Sequence, residues 1–321
     1  MEDDRVSYRD KGEIIIMKKI KILFMMILLV ILVSSCSKKN DVNDSESSNK
    51  DDSGYEMSGD AVVNRDFFKW DILDKTKIVG YSEEGLKQTE IIIPAECSYV
   101  SGLRANEQVK KVKFENPDTE ICDGLFSGCA NLEYVELPGN ITIINKNTFL
   151  NCKNLKYVSM PDSVTEIGEY AFSHCSSLER IDLSIKLEKI GVGAFKYCKN
   201  LESISIPDTV KSIGKECFYS CVALKNISIG NGIEIIYENT FMKCESLEKL
   251  DIPEGVKKIE SWAVGCCYAL NEISIPESLE DISSNSIVVV SNVKTHIAKD
   301  SYIDTVLEDL MSYEYFVVQY K

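Results

Sequence analysis

Thiols at a fixed spacing are the first chemistry this chain offers. Cys129, Cys152, Cys175, Cys198, Cys221, Cys244 and Cys267 each stand 23 residues after the last. Cysteines in such a register could pair as disulfides, hold a metal or pack. A disulfide needs Cβ atoms about 3.5–4.5 Å apart with crossing directions. Zinc needs ligands that converge on one point. Thiols repeated once per unit would lie parallel, about 4.8 Å apart if the units stack as strands. Packing is therefore the favoured reading, because cysteine is small, apolar and often fully buried. The ladder reads as reduced, buried thiols, with no metal and no cofactor. Besides Cys36, four cysteines stand off the ladder: Cys97, Cys122, Cys217 and Cys266. Cys217 falls where Ala171 and Ala194 fall in their units, so a small buried residue is expected there.

Other catalytic chemistry is sparse. The chain has two histidines, His174 and His296. His174 precedes a ladder cysteine and is expected to face solvent. A Cys–His nucleophilic pair needs hydrogen-bond reach and a third, orienting group. No glycine-rich phosphate loop, H-E-x-x-H or G-x-S-x-G stands in the sequence. Carboxylates are plentiful, but glycoside hydrolysis needs two in a cleft, which nothing here places. An enzyme is not expected. The net charge of -15 argues against a nucleic-acid partner, which calls for basic patches.

The element that positions these residues is a repeat. Leu132, Leu155, Leu178, Leu201, Leu224, Leu247 and Leu270 keep the same 23-residue beat. A fixed period of this size denotes a solenoid of stacked coils. In Leu178-Glu179-Arg180-Ile181-Asp182-Leu183 the first, fourth and sixth residues make the apolar side of a short strand. Pro207 suits a strand's end because it lacks an N–H. Pro138, Pro161, Pro253 and Pro276 recur there, while Ser184 and Gly230 replace it in two units. Val210 and Ile213 open a second apolar segment, after which Gly214, like Gly168 and Gly191, is expected to permit a turn. Phe126, Phe149, Phe172, Phe195, Phe218 and Phe241 fill the core before each cysteine, and Val264 takes the place in the last unit. A lone coil buries too little to offset the ordering of its backbone, so the units must stack.

The segment Val164-Thr165-Glu166-Ile167-Gly168-Glu169-Tyr170-Ala171-Phe172-Ser173-His174-Cys175-Ser176-Ser177-Leu178 resembles the BspA-type, or treponemal-type, leucine-rich repeat, whose core is I-G-x-x-A-F-x-x-C-x-x-L. The resemblance implies a leucine-rich repeat solenoid, mostly β, with short strands and short helical turns, capped at both ends. Seven to eight coils are expected. The repeats are read at 107–282, with an N-terminal cap at 61–106 and a strand-helix-strand C-terminal cap at 283–321. The helix is placed near Ser301–Met311 and the last strand near Tyr315–Gln319. Asp118 departs from the pattern at the place of Val164 and Val210; Tyr237, Glu260 and Ser283 depart at the turn glycine. The late coils are therefore expected to fray or bend. Members of the family are cell-surface and secreted proteins associated with adhesion and partner binding. No catalytic residue comes with the motif.

Residues 17–36 read as an address. Lys18, Lys19 and Lys21 precede the apolar run Ile22 to Val33, which at 12 residues suits a signal peptide and is short for a span of about 20. Val33-Ser34-Ser35-Cys36 resembles a bacterial lipobox, which implies acylation of Cys36; an ordinary signal peptide or short anchor is the alternative. Glu2, Asp3, Asp4 and Glu13 do not fit such a leader, so Met17 is read as the true start and 1–36 as the leader. Residues 37–60 are rich in Ser, Asp, Asn and Lys. They read as a flexible tether, the alternative being a charged loop of the fold.

Function is then expected on the outward strand positions. Three columns run Glu133, Lys156, Glu179, Glu202; Tyr134, Tyr157, Arg180, Ser203; and Glu136, Ser159, Asp182, Ser205, each continuing at the same spacing. Tyrosine and arginine are enriched at binding hot spots. Tyr134, Tyr157 and Arg180, with Glu133, Glu136, Glu179 and Asp182, form the candidate binding face; a solvated sheet face is the bland reading. The expectation is a monomeric, membrane-anchored bacterial protein of the cell surface or envelope, recognising an unknown protein partner without catalysis. A glycan- or cell-wall-binding module and a ligand-free spacer are the alternatives.

Overall fold

The computed structural model describes residues 61–283, 285–288, 293–299, 301–310 and 316–320. All belong to one unit, Ser53–Lys321. The expected leader, acylation of Cys36, start at Met17 and tether at 37–60 all fall outside the described residues.

The repeat winds as a β-solenoid of about nine turns, with about 23 residues per coil and almost no helix. Cysteine counting stops at seven because the flanking coils carry no ladder cysteine and shorten their period. Glu90–Ile93 already pairs parallel with Lys111–Phe114, partnering Ile91 with Val112. At the other end Glu272–Ser274 pairs with Val293–Ile297, partnering Ile273 with Thr295. Between them the pairing keeps the beat, as Tyr134 faces Tyr157 and Val135 faces Val158. An antiparallel hairpin, Phe68–Trp70 with Lys77–Tyr81, begins the described chain. Helix Tyr302–Leu310 crosses between the parallel strands Val293–Ile297 and Phe316–Tyr320.

Each coil has three sides. The first is the strand read from the leucine pattern, whose inward residues Leu132, Leu155, Val135 and Val158 are buried. The second is a two-residue strand, such as Glu166–Ile167 paired with Lys189–Ile190. The third is a tight turn through the Phe and Cys columns. There Gly124, Phe126 and Gly128 donate their N–H groups to the next coil's Lys146, Thr148 and Leu150 carbonyls at 2.8, 2.9 and 2.7 Å. For alternate N–H groups to face one way, two residues per coil take a left-handed conformation. One set runs Gly124, Asn147, Tyr170, Gly193, Glu216, Asn239, Trp262; the other includes Gly128, Asn151, His174, Tyr197, Ser220, Lys243 and Cys266. L-residues resist this conformation by roughly 1–2 kcal/mol each, so the stacking enforces it.

The core follows the columns. Phe126 to Phe241 stack ring on ring at 5.1–5.7 Å. The ladder cysteines are buried and unpaired. They also do something packing alone does not explain. Cys152 Sγ donates to Phe126 O at 3.1 Å, and Cys175, Cys198, Cys221, Cys244 and Cys267 repeat the bond one coil on. Phe126 O also accepts from Cys129 N at 3.0 Å, so both lone pairs of a buried carbonyl are used.

Two expectations are corrected. Gly168, Gly191 and Gly214 have no positive φ and are not conformational turn residues. They are glycines because a Cβ there would sit 2.6, 2.6 and 2.4 Å from backbone nitrogens of the preceding coil. Where this column ends at Tyr237, the second side breaks: Ile143–Ile144 to Ser212–Ile213 form one sheet, and Ile235–Ile236 starts another. The second correction concerns Leu178–Leu183, which is not a strand. Its inside-outside alternation survives, with Leu178 and Ile181 buried and Glu179, Arg180 and Asp182 exposed. This unit has Ser184 instead of proline. Ser184 Oγ donates to Asp162 O at 3.0 Å and accepts from Lys186 N at 3.1 Å, a local turn that competes with extended pairing.

Candidate functional site

The first-side face is where the sequence pattern places recognition. Its strands hold the candidate side chains in register by 23-residue pairing, so each outward residue lies beside its own equivalent on the next coil. Tyr134 and Tyr157 stack at 5.9 Å between ring centres and 10° between planes. Both are half-buried, because each ring covers one face of the other. Arg180 follows them in the column but lies on the coil that has no strand, and it is exposed together with Glu179 and Asp182. The two tyrosines are thus fixed by sheet pairing, and the three charged residues are not.

The acidic column is not a stripe of uncompensated charge. Glu133 accepts from Lys156 Nζ at 2.8 Å and lies 4.0 Å from Lys110 Nζ. Glu136 lies 3.2 Å from Lys113 Nζ. Farther along, Lys249 reaches Glu272 at 2.8 Å, which holds the Glu272 carboxyl below its ordinary range. Ser274 Oγ donates to Asp251 at 2.8 Å. These pairs cross from coil to coil, so they align neighbours while adding little stability of their own.

A second surface was missed by the strand-based reading. On the turn side, His174 and Tyr197 occupy the left-handed position before their ladder cysteines and stack at 4.5 Å. Tyr219 meets Tyr197 edge-on at 5.6 Å, and Lys196 Nζ lies 4.9 Å from the Tyr219 ring centre. Partial burial, then the charges of Lys196, Lys199 and Lys153, hold His174 below its ordinary value. The signal was legible: His174 and Tyr197 are 23 residues apart, one place before the cysteine column.

Neither surface assembles reactive groups. Burial pushes the ladder thiols up, to about 11 at Cys129 and about 12 at Cys267, which suppresses the nucleophilic thiolate. Among the described residues no group of His, Cys, Asp and Glu could hold a metal ion. Two shallow clefts of about 400 and 310 Å³ open on the second side. The larger holds Asp118 and Asn140, and the smaller lies where Tyr237 ends the glycine column. Among the described residues no helix is long and apolar enough to cross a membrane.

Comparison with known proteins adds the following. A family model described as the BspA type leucine rich repeat region matches in six copies, over residues 103–225 and 188–306. No curated protein matches the chain. A leucine rich repeat protein of T. pallidum has a similar structure, with 26% identity over 65% of this chain and 90% of that one, at a TM-score of 0.49. One from Bacteroides ovatus shows 19% identity over 88% and 100%, at 0.49. A leucine rich cell surface protein from Faecalibacterium prausnitzii shows 21% identity over 71% and 84%, at 0.34.

Proposed function

The chain belongs to the BspA-type leucine-rich repeat family, and on that premise we propose that it is a lipid-anchored bacterial surface protein that recognises a protein partner without catalysis. Acylation at Cys36 anchors it outside the cytoplasm, and it works as a monomer that displays its first-side face. The observation that carries this reading is the stacked Tyr134–Tyr157 pair beside the exposed Arg180. Two rings held by sheet pairing offer a rigid aromatic anchor with little side-chain entropy left to lose. Arg180, exposed in the same column, adds a residue type enriched at binding hot spots.

The test is capture by the full chain displayed on cells. A photocrosslinker at Ser159 identifies the partner, and the double variant Tyr134→Ala, Arg180→Ala is then titrated against it. Loss of two hot-spot residues weakens affinity by about 2 kcal/mol or more, roughly thirtyfold. Unchanged affinity in a folded variant removes this face from the proposal. The stacked His174–Tyr197–Tyr219 rings favour a second reading, a glycan laid along the turn side. Binding on a glycan array that His174→Ala, Tyr197→Ala abolishes, with the first-side variant unaffected, would put the function there instead.

A further inference from the structure

Among the described residues, exposed large apolar side chains concentrate in one stretch of the sequence. Of the ten exposed among the described residues, six fall between positions 62 and 86: Val62, Val63, Ile72, Leu73, Val79 and Leu86. Ile72 and Leu73 are the extreme case, 84% and 95% exposed. They occupy the turn of the hairpin formed by Phe68–Trp70 and Lys77–Tyr81.

That turn is held by its own polar residues. Asp71 Oδ1 accepts from the N–H groups of Leu73 and Asp74, both at 2.9 Å. Asp74 Oδ1 accepts from Thr76 N at 3.1 Å and from Thr76 Oγ1 at 2.6 Å. The backbone closes with Asp71 N to Lys77 O at 2.9 Å and Lys77 N to Asp74 O at 3.0 Å. A tied turn that exposes two aliphatic side chains almost completely has not simply failed to bury them. Beside it stands Trp70, half-buried, its Nε1 donating to Arg65 O at 3.0 Å and its ring under the Arg65 guanidinium at 3.8 Å.

We propose that this hairpin tip docks on the lipid bilayer, with Ile72 and Leu73 inserted among the acyl chains and Trp70 at headgroup level. The proposal rests on the reading that Cys36 is acylated, because 24 residues, 37–60, then connect the anchored cysteine to Ala61, the first described residue. At no more than about 3.6 Å per residue that segment keeps the hairpin within reach of the surface. Charge points the same way. Residues 62–87 carry Arg65, Lys69, Lys75, Lys77 and Lys87 against Asp66, Asp71, Asp74, Glu83 and Glu84, a balance of zero in a chain of net charge -15. This part of the fold therefore has no net negative charge to be repelled by an anionic leaflet. A protruding two-residue tip suits a fluid that yields around it, whereas a protein partner would need a matching socket. Tryptophan favours the membrane–water boundary.

The two tryptophans of the chain permit a direct test, since one is Trp70 and the other is Trp262 in a late coil. The full acylated chain is reconstituted on vesicles of phosphatidylglycerol and phosphatidylcholine, with the phosphatidylcholine either dibrominated or plain. In Trp262→Phe, brominated lipid is expected to quench Trp70 emission. In Trp70→Phe, Trp262 emission stays the same in both vesicles. Ile72→Glu with Leu73→Glu abolishes the quenching of Trp70 while circular dichroism and the unfolding midpoint hold. Equal Trp70 emission in both vesicles, or quenching that survives the double glutamate variant, overturns the docking. Flotation with and without Cys36→Ala reads the anchor separately. A chain that floats with unquenched Trp70 is anchored and not docked; one that fails to float but is quenched on adding vesicles docks without an anchor.

Discussion

At the residue scale the cysteine column combines two roles. Its size suits a packed interior, and its S–H fills the second lone pair of a phenylalanine carbonyl on the preceding coil. Alanine would fill much of the space but leave that lone pair unused. Ionisation would abolish the donor and bury a charge. Folding therefore raises the thiol values from 9.0, to about 11 at Cys129 and about 12 at Cys267. The sign of the linkage follows. The stabilisation is fully present below pH 9.0 and is lost as pH rises through about 11 to 12. Urea midpoints should hold up to pH 9.0 and fall steadily above it. Thiol-reagent titration should track the same loss, with Cys122, the one partly buried cysteine of those described, reacting first and the buried ones only on unfolding. A midpoint that stays flat through that alkaline range would remove the thiols from the stability of the fold.

At the element scale the close approach of coils decides which residues are tolerated. Gly191 faces backbone of the preceding coil so tightly that a Cβ would lie 2.6 Å from Glu169 N and 2.7 Å from Gly168 C. Backbone on that scale cannot step aside like the end of a side chain. Gly191→Ala should therefore lower stability by about 1–3 kcal/mol, the usual range for overpacking. Gly139→Ala is the control, since its nearest neighbour is Pro117 Cβ at 3.4 Å. Calorimetric unfolding of the two variants should separate them; equal midpoints would contradict the close-approach account. The sheet ends at Ser212–Ile213 where Tyr237 takes the place of the column glycine, and a cleft of about 310 Å³ lined by Gly191, Gly214 and Tyr237 opens there.

At the scale of the whole molecule, stability is a sum of coils and the interfaces between them. Deleting residues 186–208 removes one complete 23-residue unit and joins Ile185 to Thr209 in register. The product should fold, with a urea m-value reduced by roughly a tenth because m follows the surface exposed on unfolding. Deleting 186–197 instead removes only half a unit, so each later side falls opposite a different side of the coil before it and loses its parallel partner. Circular dichroism should show the first variant folded and the second largely unfolded. Two equally folded products would mean that register does not govern this stack. The sequence by itself determined the solenoid, its period, the buried columns and the i, i+23 neighbours on the outer face, because a strict repeat makes each contact a matter of counting. It also marked Tyr134 beside Tyr157. Only the tertiary structure decided two further matters: that Leu178–Leu183 leaves the sheet and that the glycine column serves close approach. It also decided that Ile72 and Leu73 stand uncovered at a hairpin tip. These depend on how nearly one backbone approaches another and on which side chain finds a partner across coils. Those are distances through space, and a residue's identity and spacing do not contain them.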